Sequence, residues 1–344
     1  MQQHGGNITA FAQEIGCQPS EVIDLSSNIN FVKPTIPLDF NRLEIAPYPN
    51  YDALEEAIAS LYKVKPSELE LFNGATSAIH SLFRNLSTRE VTLYAPLYLE
   101  YVKASHLNGY NITHIDRFDA MEEEPKENAL VVFVNPSTPD GCYYAMDKLM
   151  KIWMKKGCTI LVDESFLDFS PYSSVTPYLK EYDKLYLLKS MTKFYASAGI
   201  RIGALLSTKE NIDFIKAKEP LWKISQFDSH YLQEALKDKT FPQKAREENQ
   251  KNRDYLIEIL SGSPFIKKIF HSDANFLLCQ LQEIDASTFQ ERLKPHKIMV
   301  RNCANFQGLD ADFVRVAVKE RALLQAFDVA LHSIELRFTK SKRR

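Results

Sequence analysis

Short apolar runs alternate along the middle of the chain with stretches whose apolar residues recur every three or four positions. The runs are Val91–Tyr94, Leu130–Val134, Thr159–Val162, Leu185–Leu188 and Ile202–Leu206. Each is bounded by turn residues and rich in Val, Leu or Ile, the pattern of strands covered on both faces. In Asp52–Val64 the residues Leu54, Ala57, Ile58 and Leu61 share one helical face. Ser77–Leu86 and Met146–Lys156 have the same period, with Gly157 as the stop for the second. Strand–helix alternation of this kind predicts an α/β fold with a mainly parallel sheet between helices.

After residue 208 the pattern changes. Glu210–Ser261 is almost entirely helical in period, and its charged part, Gln243–Leu260, predicts a solvated connecting helix. Asn275–Gln280, Met299–Arg301 and Phe313–Val318 then read as strands, and Thr288–Leu293 and Ala322–Leu336 as helices. A smaller α+β lobe is the expectation. The divisions are an N-terminal arm and crossing segment at 1–35, a large domain at 36–240 and a small domain at 241–344. Proline-bearing Phe31–Pro49 reads as irregular.

Composition narrows the picture by exclusion. A chain of 344 residues with formal net charge −2 presents no basic field for nucleic acid or an acidic membrane. No apolar run approaches the roughly 20 residues of a membrane span. Five scattered cysteines, without a Cys-x-x-Cys pair or Cys/His cluster, predict neither a disulfide framework nor a zinc site. The opening residues have neither a charged start nor an apolar core, so a cytoplasmic location is expected.

The candidate chemistry is concentrated in Ser190–Arg201, where Lys193 follows Ser190 by three residues and precedes Arg201 by eight. Lysine forms Schiff bases with aldehydes, while serine and arginine bind phosphate. Together they point to an aldehyde that carries a phosphate, as pyridoxal phosphate does. Asp163 ends an apolar strand, where it could pair with a pyridine nitrogen or simply cap the next turn. Gly74, Thr76 and Ser77 open a helical pattern whose free N–H groups suit an anion, or form an ordinary capped start. Tyr98, after the first core strand, could stack on a flat ring or only pack.

It is the order of these elements that decides. A glycine helix start, an aromatic residue, the turn Asn135–Gly141, a strand-end aspartate, then Ser-x-x-Lys and arginine resemble the fold-type I pyridoxal-phosphate enzymes. The chain is similar over its whole length to the class I/II aminotransferase superfamily. Within it, the histidinol-phosphate aminotransferase branch is nearest, and there the threonine-phosphate decarboxylases. They share an opening like His4-Gly5-Gly6-Asn7 and a Ser-x-Asn-Ile-Asn segment like Ser26-Ser27-Asn28-Ile29-Asn30. The resemblance implies a large domain with a seven-stranded sheet, a smaller α+β domain, and a homodimer. It makes Lys193 the Schiff-base lysine, Asp163 the partner of the ring nitrogen and Tyr98 the stacking residue. Ala75, Thr76, Ser190 and Arg201 would hold the cofactor phosphate, joined by Tyr48 from the partner subunit. Arg315 would take the substrate α-carboxylate, and Arg301 and His4 a substrate phosphate, with Asn28 beside them.

Two positions depart from the family pattern. Thr138 replaces the asparagine that donates to the cofactor ring oxygen, and Phe166 stands where many aminotransferases have a tyrosine. Fewer donors at that oxygen imply a site retuned away from transamination. The expected reaction is decarboxylation of an O-phosphorylated hydroxy-amino acid, threonine phosphate or serine phosphate, in cobamide biosynthesis. The alternatives are a histidinol-phosphate-type aminotransferase and, more remotely, a non-catalytic binding protein of the same fold.

Overall fold

The five apolar runs become five adjacent strands of one seven-stranded sheet in the computed structural model, which describes residues 5–342. The strand order is Leu69–Asn73, Ile202–Leu206, Leu185–Ser190, Thr159–Asp163, Leu130–Val134, Glu90–Ala95, Asn111–Asp116. All neighbours are parallel except Ile202–Leu206, which runs antiparallel to both strands beside it. The two outermost strands escape sequence reading for a physical reason. Glu70 interrupts the apolar run of the first, and the second is a polar edge strand with half its residues in contact with solvent.

This topology gathers the chemistry at one edge of the sheet. The parallel strands Thr159–Asp163 and Leu185–Ser190 both end there. The antiparallel strand begins there, with Ser190 paired to Gly203 and Asn73 paired to Ile202. Asp163, Ser190, Arg201 and the helix Ala75–Asn85 therefore converge without long loops. That placement, outside the carboxyl ends of strands, is where open α/β sheets bind ligands.

Two helical expectations need correction. The helix predicted from Ser77 starts at Ala75, behind Gly74, so Thr76 and Ser77 lie in its first turn. The Glu210–Ser261 stretch breaks into Lys209–Lys216, Gln226–Lys237 and Phe241–Ser261. Pro220 lies in the first gap, and Ser225 caps the next helix by accepting from the Asp228 N–H at 3.0 Å. The connecting helix is not simply solvated. It buries Phe241 and Ala245 in the core beside the sheet, and Leu256, Ile259 and Leu260 in the second core.

That second core lies on a four-stranded antiparallel sheet, ordered Arg301–Asn302, Phe313–Ala317, Phe276–Leu281, Ile266–Ile269. The helix Arg321–Lys342 closes the chain. The expected strand Met299–Arg301 is really two short ones. Ile298–Met299 pairs in parallel with Ile23–Asp24, and Arg301–Asn302 pairs with Phe313–Ala317. Leu25, from the N-terminal segment, is fully buried in this second core. Among the described residues no helix is long and apolar enough to cross a membrane.

Candidate active site

A cavity of about 340 Å³ opens at the sheet edge, lined by residues from the large sheet, the N-terminal segment and the smaller lobe. Its floor is set by close backbone approach. At Gly203 a Cβ would stand 2.4 Å from the Ala75 nitrogen, so only glycine lets the strand meet the helix start. Gly74 has φ of +78°, and a Cβ there would lie 2.6 Å from Arg201 Nη2. Arg201 thus lies against Gly74, held by its own Nη1 donating to the Ala198 carbonyl at 2.8 Å.

No side chain caps the start of Ala75–Asn85. Its first-turn N–H groups, with Thr76, Ser190 and Arg201 on the same wall, form an anion cradle. Thr76 Oγ1 lies 3.5 Å from the hydroxyl of Tyr98, which also lines the cavity.

Asp163 is buried at the end of its strand. Its Oδ2 accepts from the Tyr101 hydroxyl at 2.7 Å and its Oδ1 from the Ser165 N–H at 2.9 Å. Burial raises its pKa, while the bonds from Ser165 and Tyr101 and the charge of Lys193 oppose the rise. A cation beside this carboxyl would favour its ionised form. Lys193 behaves in the complementary way. Burial first, then the charges of Arg315 and Arg201, bring its pKa down to about 8.

The smaller lobe contributes two arginines. Arg301 and Arg315 are direct cross-strand partners in the antiparallel register. Arg315 Nη1 donates to Thr138 Oγ1 at 2.9 Å and Nη2 to the Ser26 carbonyl at 3.2 Å, while its buried Nε has no partner. Its guanidinium lies 4.9 Å from the centre of the Phe276 ring. Phe276 in turn meets Phe166 edge to face at 5.0 Å. Arg301 donates to the Asn302 carbonyl and to Asn305 Oδ1, both at 2.7 Å.

Charge balance indicates what the cavity takes. Among the described lining residues Lys193, Arg201, Arg301 and Arg315 face a single carboxylate, Asp163. Contents with several negative charges fit such a wall. The donor set also fits pyridoxal phosphate. The helix start, Thr76, Ser190 and Arg201 suit its phosphate, Lys193 its aldehyde, Asp163 its ring nitrogen and Tyr98 its ring face.

The cavity brings together Asn28, Ala75, Thr76, Tyr98, Thr138, Asp163, Ser190, Lys193, Arg201, Arg301 and Arg315, all singled out from sequence. Tyr48 is not among them. It is 74% exposed and stacks on Trp222, with ring centres 4.0 Å apart. His4 lies outside the described residues. Sequence reasoning missed Tyr101, Gly203 and Ser26. Tyr101 offered a signal, since it follows Tyr98 at helical spacing; Gly203 and Ser26 act through contacts that only the folded chain creates.

A model of the family "Aminotransferase class I and II" matches residues 21–328. The chain is 28% identical to the threonine-phosphate decarboxylase of Salmonella typhimurium, covering 96% of each chain. It is 27% identical to an adenosylcobalamin biosynthesis bifunctional protein of Leptospira interrogans, where 99% of this chain spans 42% of the longer protein. Among solved structures, the histidinol-phosphate aminotransferase of Clostridium acetobutylicum superposes with a TM-score of 0.82 at 31% identity, covering 91% of this chain and 99% of that one.

Proposed function

The chain belongs to the class I and II aminotransferase family, whose cofactor is pyridoxal phosphate, and from that premise we propose that it decarboxylates a phosphorylated hydroxy-amino acid. The substrate would be threonine phosphate or serine phosphate and the product an amino-alcohol phosphate, as for the cobamide nucleotide loop. The cross-strand pairing of Arg301 with Arg315 carries this reading. Side chains directly opposite on an antiparallel pair lie about 5 Å apart, and like charges there repel. Two anions on one small molecule, a carboxylate and a phosphate, turn that repulsion into a matched grip.

Each residue then has a task. Pyridoxal phosphate, when bound, supplies an electron sink for the bond that breaks at the α-carbon. Thr76, Ser190, Arg201 and the helix start would hold its phosphate, and Tyr98 would pack on its ring. Asp163 would pair with the ring nitrogen and favour its protonated form. Arg301 fixes the phosphate end of the substrate, so that the carboxylate falls to Arg315, whose guanidinium Thr138 and the Ser26 carbonyl already orient. Carbon dioxide leaves with scission of the carbon–carbon bond, and Lys193 Nζ delivers a proton to the α-carbon in its place. A lysine whose pKa lies near 8 is largely protonated at neutral pH, so it can give up that proton and take its replacement from solvent.

The similarity to histidinol-phosphate aminotransferase at 31% identity favours a second reading, amino transfer from a phosphorylated amine. One assay separates the two. Purified protein with pyridoxal phosphate is given phosphothreonine, phosphoserine, or histidinol phosphate with 2-oxoglutarate. Release of carbon dioxide without consumption of keto acid supports decarboxylation; glutamate formation from histidinol phosphate overturns it.

A further inference from the structure

We propose that Asn30 is a positioning residue for Lys193, fixing the backbone turn from which the lysine amine enters the cavity. The proposal rests on the reading of Lys193 as the cofactor-binding lysine. Lys193 belongs to a single helical turn, Met191–Phe194. One turn of helix cannot satisfy its own terminal carbonyls, and Met191 and Phe194 are buried away from water. The Met191 carbonyl accepts from the Ser197 hydroxyl at 2.9 Å and the Lys193 carbonyl from the Ala196 N–H at 3.4 Å, and Asn30, far away in the chain, adds two donors at the end of the turn. Its backbone N–H donates to the Lys193 carbonyl at 3.1 Å, and its Nδ2 donates to the Phe194 carbonyl at 2.8 Å.

The acceptor side of Asn30 is also occupied. Its Oδ1 accepts from the Val32 N–H at 3.1 Å and from Asn249 Nδ2 at 2.9 Å. Asn249 is buried on the long helix and also donates to the Ala245 carbonyl at 2.8 Å. One amide side chain, itself 3% exposed, therefore joins the crossing segment, the lysine turn and the helix between the two cores. The chemistry of the side chain is specific. An aspartate would keep the acceptor but present a second oxygen to the Phe194 carbonyl, and a hydroxyl is too short to span both partners.

The same segment reaches Arg315. The Leu25 N–H donates to the Met299 carbonyl and its carbonyl accepts from the Ala317 N–H, both at 2.8 Å. The Ser26 carbonyl takes its bond from Arg315, and Asn275 Nδ2 fixes the Asn28 carbonyl at 2.9 Å. Residues 25–30 thus set the separation between the group that meets the substrate carboxylate and the group that moves the proton. A misplacement of about 1 Å in such a site can cost roughly a hundredfold in rate.

The test uses protein reconstituted with pyridoxal phosphate and compares Asn30→Asp with the parent. The expected result is a fall in kcat of about tenfold or more with little change in KM. The pH midpoint of the cofactor absorption band shifts as well; the melting temperature falls, because the buried Phe194 carbonyl loses its donor, while cofactor affinity stays near the parent's. Should Asn30→Asp fail to fold, Asn249→Ala carries the test, because it leaves both donors of Asn30 in place. It is expected to shift the same midpoint in the same direction by less. Variants that fold, turn over and titrate like the parent overturn the proposal. Lys193→Ala is measured alongside; if it keeps the parent's absorption band, the assignment of Lys193 fails, whatever Asn30 does.

Discussion

The Thr138 hydroxyl accepts a hydrogen bond from Arg315 Nη1 at 2.9 Å, joining a turn of the large lobe to a strand of the small one. A guanidinium only donates, so the Thr138 hydroxyl serves here as acceptor and its single proton is not used in this bond.

Thr138→Val keeps the shape of the side chain and removes the acceptor. The buried Arg315 Nη1 then loses its partner, at a cost of about 1–3 kcal/mol. The variant is expected to show a raised KM for the amino-acid substrate and a lower kcat/KM, measured by initial rates. The double variant Thr138→Asn with Phe166→Tyr adds donors instead. It is expected to shift the partition toward amino transfer, read as the ratio of carbon dioxide to new amino acid with 2-oxoglutarate present. An unchanged ratio sinks the idea that these two positions tune the reaction.

The depressed Lys193 pKa has a sign that can be checked. The neutral amine attacks an aldehyde, and with a pKa of about 8 half of it is neutral at that pH, the neutral fraction levelling off only above it. The rate at which apoprotein captures pyridoxal phosphate, followed by its visible absorbance, should therefore reach half its maximum near pH 8 and flatten above that. A rate still climbing toward pH 10, as for an ordinary exposed lysine of pKa about 10.4, contradicts the burial argument.

Gly74→Ala places a methyl group 2.6 Å from Arg201 Nη2 on a backbone with φ of +78°. Cofactor affinity should drop about tenfold, worth ~1.4 kcal/mol, in an equilibrium titration. Gly109→Ala is the control. It shares a positive φ, +67°, but has open space around the new methyl, so it should lose stability without losing cofactor.

Tyr48 and Trp222 stack in the open, at 74% and 53% exposure, on segments that also expose Phe40, Ile45 and Leu221. Large apolar side chains grouped in this way mark an interface. A second copy of the chain is the expected occupant, and Tyr48 would then reach the partner's cofactor phosphate. Trp222→Ser should shift dimer to monomer in light scattering and weaken cofactor binding with it. A variant that stays dimeric and binds normally removes Trp222 from the interface.

Much of the large sheet is legible in the sequence because its central strands are buried on both faces, and burial leaves unbroken apolar runs. The edge strand Asn111–Asp116 lacks that signature, and Leu69–Asn73 is broken by Glu70. Lys193 and Arg201 are legible because one antiparallel strand keeps them in a single loop. The facing of Arg301 and Arg315 is not. It depends on a register between strands, and no local pattern records which residues a sheet sets opposite one another. Asn30 is hidden for a similar reason, since Phe194 and Asn249, which its side chain joins, lie 164 and 219 residues further along the chain.

The helix Phe241–Ser261 has a consequence for how the protein comes apart. Its 21 residues extend about 31 Å, with one end in each hydrophobic core. Neither lobe can loosen without stripping apolar surface from a helix that the other needs. The stability of the two lobes is thereby coupled through one helix, and a molecule bound in the cleft between them stabilises both.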